Sequence, residues 1–191
     1  MPSPDEPDPP AFPPLDVTRS ERLFDSPWVG LRRDHIRLEG GEAIDYHVVE
    51  ITDAVAIVPR LADGRLMLIW QHRHPNERSH WEVPAGRMAS GEPPEEAAHR
   101  ELLEETGHQA ARLVKLPGFF PINGISGHYA HVFLADGCEQ VAEPDLDPME
   151  RLIPRAFDEQ RVRSMLAEGV FADAFTALPL FYAFAHLDAE A

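Results

Sequence analysis

The chain has 191 residues, a formal net charge of −16 and a single cysteine, Cys138. That length buries one substantial core with at most a small appended module. The acidity leaves no basic stripe to neutralise a nucleic-acid backbone, and the lone cysteine excludes an internal disulfide and fits a reducing compartment. No apolar run approaches the ~20 residues that cross a bilayer, and the longest, from Ala174 to Ala185, contains Pro179. No basic region followed by an apolar stretch opens the chain, so a cytoplasmic protein is expected.

Residues 1–16 hold seven prolines and four acidic residues. Such a segment cannot bury enough surface to order itself, and a disordered arm is expected there. Segments 19–25, 28–38 and 44–51 read as strands, the last two separated by the turn Glu39-Gly40-Gly41. AVAIVPRL (54–61) and RLMLIWQHR (65–73) flank Asp63-Gly64, a hairpin signal. Ser90, Gly91 and Pro93-Pro94 make a loop, and EEAAHRELLEET up to Thr106 favours a helix that Gly107 stops. LVKLPGFF (113–120), HYAHVFLA (128–135) and RLIPRAF (151–157) predict further strands, and helices follow near 157–167 and 170–187. Strands enclosing a helix and closed by more helices predict an α/β sandwich around a mixed sheet. The expected division is an arm at 1–16, a small antiparallel β subdomain at 17–52 and a main domain at 53–191.

The chemistry concentrates between Gly86 and Gly107, in GRMASGEPPEEAAHRELLEETG. At about 100° per residue, Glu101, Glu104 and Glu105 share one arc of the helix while Leu102 and Leu103 point elsewhere. Like charges on one arc repel and call for a compensating cation, and carboxylates suit hard Mg²⁺ or Mn²⁺ together with substrate phosphates. Arg100 is four residues from both Glu96 and Glu104 and can hold the array by charge-assisted bonds. An acidic run is ordinarily a solvated helix face. The spacing separates the two readings: seven fixed Gly, Glu and Arg positions match by chance on the order of 10⁻⁸ per start.

That spacing resembles the signature of the Nudix hydrolases at every fixed position, with His108 where an apolar residue usually follows the last glycine. The resemblance implies hydrolysis of a nucleoside diphosphate linked to a further group, using two or more Mg²⁺ ions, with Mn²⁺ an alternative. Glu101, Glu104 and Glu105 are the implied ligands, with Glu104 either a ligand or the holder of a metal-bound water, and Glu92 fastens the loop to the helix.

The stretches SPWVGLRRDHIRL, DYHVVE, QHRHP and WEVPAG are similar to the ADP-ribose pyrophosphatase branch, over about residues 18–187. That branch pairs two subunits through its N-terminal strands, so a homodimer that shares its sites is implied. Position by position, Trp28 and Tyr46 match the aromatic residues that sandwich the base. Arg73 matches a phosphate-contacting arginine, Glu82 an acid that either contacts the substrate or backs a residue that does, and the Ala85 carbonyl a backbone metal ligand. Read alone, Trp28 is a core aromatic, Arg73 a surface arginine, and His72 and His74 are strand positions rather than zinc ligands.

The branch commonly carries a proline sixteen residues beyond the last box glycine, followed by a glutamate. Asn123 and His128 stand there in PINGISGH, and the sugar-reading loop is altered. ADP-ribose is the first expectation, cleaved to AMP and a sugar phosphate. GDP-mannose, ADP-glucose or a dinucleoside polyphosphate is the alternative. A general base is expected from EPDLDPME (143–150), with Asp147 and Glu150 as candidates. A non-catalytic ligand sensor is the rival class, and the complete set of box carboxylates argues against it.

Overall fold

The computed structural model describes residues 10–190. Most of the expected arm, residues 1–9, lies outside the described residues. Residues 10–15 are exposed and take no regular structure. The chain divides into two compact units, with the division between Ile51 and Thr52.

The first unit is an antiparallel three-stranded sheet of β1 (Asp16–Asp25), β2 (Gly30–Arg37) and β3 (Ala43–Glu50), with β2 in the middle. Ile36 pairs with Val17 on one side and Ile44 on the other. Charges cross the same strands: Arg33 of β2 donates to Glu21 of β1 at 2.7 Å, and Arg32, which bonds Asp34 on its own strand, reaches Glu50 of β3. Opposite-charge cross-strand pairs of this kind favour one register.

The second unit is a mixed sheet between helices. Its order is β11 (Leu152–Phe157), β5 (Leu66–Arg73), β4 (Ala54–Leu61), β10 (Ala130–Gln140) and β8 (His108–Gln109). β6 (Arg78–Glu82) adds to β5, β7 (Ala85–Arg87) to β4, and β9 (Arg112–Phe119) to β10. β4 and β10 run parallel, and the other pairings are antiparallel. α1 (Pro94–Thr106), α2 (Glu159–Ala167) and α3 (Ala174–Glu190) cover the sheet.

β4 shows why a continuous apolar run is needed here. Val55 and Ile57 pack with Ala97, Ala98 and Leu102 of α1, while Ala56 and Val58 pack with Val162, Leu180 and Phe184 of α2 and α3. Both faces are buried, so alternation is suppressed. The α/β sandwich expected from the sequence is the fold observed.

Several boundaries shift. β6, β7 and β8 went unread because they have two to five residues each. β10 runs on to Gln140 rather than stopping at Ala135, since a bulge at Gly137 (φ +66°) turns Glu139 and Gln140 onto Gln109 and His108. α3 starts at Ala174, not at 170, because Asp173 Oδ1 accepts the Thr176 N–H at 2.9 Å and caps it.

Candidate active site

α1 places the carboxylates. Gly107, at φ +70°, ends the helix, and its N–H donates to Leu103 O at 2.8 Å. Ala97, Ala98 and Leu102 are fully buried in the core, which fixes the helix rotation and turns Glu101 and Glu105 towards β7. A Cβ on Gly86 would overlap the Glu101 carboxyl group where it now lies, so a larger residue there would push that carboxyl aside. One residue earlier, the Ala85 N–H donates to Glu105 Oε2 at 3.0 Å.

Glu101 is 8% exposed and Glu105 2%. Burial raises both carboxyls above the ordinary glutamate range, Glu105 strongly, and the charges of Glu101 and Glu150 push Glu105 further. Glu104 is more open, with Arg100 Nη1 at 3.0 Å and the same nitrogen 2.7 Å from Glu101.

Arg100 also clamps the loop. Its Nε and Nη2 donate to the two oxygens of Glu92 at 2.8 and 2.9 Å, and Nη2 reaches Arg87 O at 3.1 Å. Glu92 Oε2 accepts the Ala89 N–H as well, at 2.8 Å. The guanidinium bonds hold the Glu92 carboxyl down at about 2. Glu92 is thus the fastening between loop and helix.

The loop after β10 runs beside the end of α1. Gly107 O accepts the N–H groups of Val141 and Ala142, and Glu104 O accepts Asp145 N–H at 2.8 Å. At the far end, His72 N–H donates to Arg151 O at 3.0 Å. Between these anchors Glu150 Oε2 accepts the Asp147 N–H at 2.9 Å. The charge of Glu150 is felt at both Glu101 and Glu105.

Arg73 closes a further side. Its Nε and Nη2 straddle Glu82 at 3.0 and 2.6 Å, and Glu82 is 3% exposed. Arg73 feels the charges of Glu105 and Asp173. Gln71, His80 and Asp173 crowd this pair and went unnoticed in the sequence, where Asp173 stands far along the chain from β6.

The remaining expected residues lie on other elements. Asn123 lies exposed in the turn 121–125. His128 is buried, with Nδ1 2.7 Å from Thr52 O and its ring stacked 5.7 Å from Phe175. His108, where an apolar residue was expected, is also buried and satisfies Nδ1 on Thr106 O at 2.7 Å. In the first unit Trp28 sits in the β1–β2 turn, 66% exposed, and Tyr46 lies opposite Asp34 in mid-β3.

The donors fit a hard divalent cation: three glutamates and the Ala85 carbonyl offer oxygen only, and among the described residues no cationic side chain is bonded to Glu105. Among the described residues, no group of three or more His, Cys, Asp and Glu side chains converges as a ready cage. Arg100 draws Glu101 and Glu104 to itself, so these side chains must re-aim to close on an ion.

Comparison with known proteins narrows the reading. The NUDIX domain model matches residues 50–168. The chain belongs to the Nudix hydrolase family. The nucleoside diphosphate sugar hydrolase N-terminal domain matches residues 16–49, so both units have family counterparts. The chain is 39% identical over 132 residues to the ADP-ribose pyrophosphatase of Mycobacterium tuberculosis, covering 69% of this chain and 64% of that one. It is 36% identical over 116 residues to the ADP-ribose pyrophosphatase of Bacillus subtilis, covering 61% and 63%. It therefore spans just under two thirds of these two relatives. The methanol dehydrogenase activator of Bacillus methanolicus is 31% identical over 144 residues, with 74% and 78% covered. A crystal structure of an ADP compounds hydrolase superposes with a TM-score of 0.82 at 21% identity, covering 96% of this chain and 99% of that one, and shares the Nudix fold.

Proposed function

We propose that this Nudix protein hydrolyses the diphosphate bond of ADP-ribose or a related nucleoside diphosphate sugar, giving AMP and a sugar phosphate. The observation that carries this reading is the buried Glu101–Glu105 pair against Ala85 and Gly86, with the Arg73 guanidinium alongside. A buried carboxyl within electrostatic reach of Arg73, with a second buried carboxyl beside it, suits a cation-bridged diphosphate better than a structural role.

Glu101, Glu104, Glu105 and the Ala85 carbonyl are the residues that hold Mg²⁺ or Mn²⁺, two or more ions in all. When bound, such ions neutralise phosphate oxygens and make water a stronger nucleophile. Arg73 fixes the diphosphate by its planar fork. Water attacks one phosphorus, the bond from that phosphorus to the bridging oxygen breaks, and one proton passes to a loop carboxylate. Glu150 is preferred over Asp147 as that base, since its charge reaches both Glu101 and Glu105.

Trp28 and Tyr46 supply stacking faces for the base, and Asn123 and His128 lie in the segment that reads the far sugar. The match of the first unit to the nucleoside diphosphate sugar hydrolase N-terminal domain supports a homodimer paired through these strands, with sites shared between the two copies. Buried Cys138 accords with a reducing, cytoplasmic setting, and no described helix is long and apolar enough to cross a membrane.

The second reading, GDP-mannose or another nucleoside diphosphate derivative, rests on Asn123 and His128. The test is a panel of ADP-ribose, ADP-glucose and GDP-mannose with Mg²⁺ or Mn²⁺, products identified by chromatography. ADP-ribose should be cleaved to AMP, with appreciable turnover of another sugar. No cleavage of ADP-ribose with turnover of GDP-mannose selects the second reading.

A further inference from the structure

Behind the Arg73–Glu82 pair lies a set of polar atoms that the chemistry above does not use. Gln71 and His80 are direct cross-strand partners on β5 and β6. His80 and Glu82 share a face of β6, alternating with Trp81 and Val83, which pack into the α2/α3 core. Glu82 is opposite Ile69, so the Arg73 side chain runs back over the Gln71–His80 pair to reach it.

His80 Nε2 is 3.5 Å from Glu82 Oε1, and His80 Nδ1 is 4.0 Å from Asp173 Oδ2. Asp173 spends its other oxygen on the α3 cap, and Thr176 Oγ1 in the first turn accepts Val83 N–H at 3.3 Å. Both ring nitrogens of His80, Asp173 Oδ2 and Gln71 Oε1 are buried without a hydrogen-bond partner among the described residues. Buried polar atoms left unpaired are costly, and an imidazole set between two carboxylates donates to one of them as the neutral ring and to both only as the imidazolium.

We propose that His80 and Asp173 are positioning residues that set the aim of Arg73 for the substrate diphosphate. The order of contacts is Asp173, His80, Glu82, Arg73, starting from the rigid end of α3. Glu82 takes the Nε and Nη2 edge of the guanidinium and leaves Nη1 for phosphate oxygens. His80 braces Glu82 from behind, so the fork cannot swing with its partner. This inference rests on the proposed diphosphate hydrolysis, and it acts on substrate binding rather than on the bond-breaking step.

The test compares wild type with His80→Phe, His80→Gln and Asp173→Asn, the last retaining the α3 cap. With ADP-ribose and Mg²⁺, His80→Phe should raise KM about tenfold and change kcat less than about twofold. His80→Gln, which restores a hydrogen-bonding group, should recover most of that loss, and Asp173→Asn should raise KM about threefold. A readout without turnover separates this idea from the substrate assignment. The Arg73 Nε–H resonance of the substrate-free protein, shielded by Glu82, should exchange with water at least tenfold faster in His80→Phe. If wild type cleaves no nucleoside diphosphate sugar, the substrate reading fails, and the exchange measurement still decides the bracing. Unchanged Arg73 exchange, or equal damage from Gln and Phe with kcat and KM moving together, overturns the proposal.

Discussion

Glu92 and Glu105, just before α1 and near its end, meet opposite fates. Glu92 receives two guanidinium nitrogens and a backbone N–H, and its carboxyl is held down at about 2. Glu105 is more deeply buried, receives only the Ala85 N–H among the described residues, and burial lifts it well above the ordinary range. Saturating a carboxylate makes it a fastener. Burying one with a single donor leaves charge for something else to neutralise, and that difference separates scaffold from site within one motif.

The largest effect expected from breaking the contrast is on turnover. Glu105→Gln preserves shape and the Ala85 bond but removes the charge. It should lower kcat/KM about a thousandfold, ~4 kcal/mol, measured at saturating Mg²⁺. Near-normal turnover would make Glu105 a structural residue like Glu92.

Arg100→Ala attacks the fastened end and leaves Glu92 and buried Glu101 uncompensated. It should cost about 3 kcal/mol of stability, read by urea denaturation. A loss under ~1 kcal/mol would mean that the clamp is dispensable.

The pH dependence of metal-free stability should carry opposite signs at the two positions. The folded Glu105 carboxyl is raised above 4.5, so its stability contribution is complete below that pH and is lost as pH rises through the folded value. Glu105→Gln should therefore gain on wild type as pH increases from about 5 to about 8 in chelator. Glu92 is depressed from 4.5 to about 2, so its contribution is present above 4.5 and lost as pH falls toward 2. Glu92→Gln should be the less stable protein at neutral pH and converge on wild type in acid. Thermal melts across pH would show parallel curves if the two carboxyls were equivalent.

The smallest effect concerns Cys138, a buried carboxyl's uncharged analogue. It is 2% exposed, its S–H donates to Ala135 O at 3.2 Å, and burial pushes the thiol up to about 12. Iodoacetamide at pH 8 should leave native Cys138 unlabelled while the urea-denatured chain reacts fully. Rapid native labelling would show that the α1 side of the sheet opens readily.

Local signals were legible, and long-range ones were not. β4 and α1 have the boundaries that hydrophobic pattern and stop glycine predict, and the Asp63-Gly64 turn forms with Gly64 at φ +88°. The box glutamates were readable because helix geometry converts spacing directly into an arc. What spacing could not show is that Arg100 would bind three of its neighbours at once, or that the charge of Glu150 would be felt at Glu101 and Glu105. His80 carries no signal in the sequence, since its neighbour Asp173 stands far along the chain and arrives only with the start of α3.

The loop that carries Glu150 is pinned at Asp145 to α1 and at Arg151 to β5. The residues between them, 146–150, act as a ruler, delivering a carboxylate at a set reach from two fixed posts. Information about where that acid sits is stored in residue count rather than in residue identity. A single inserted glycine would leave every side chain of the centre in place and still spoil the measure.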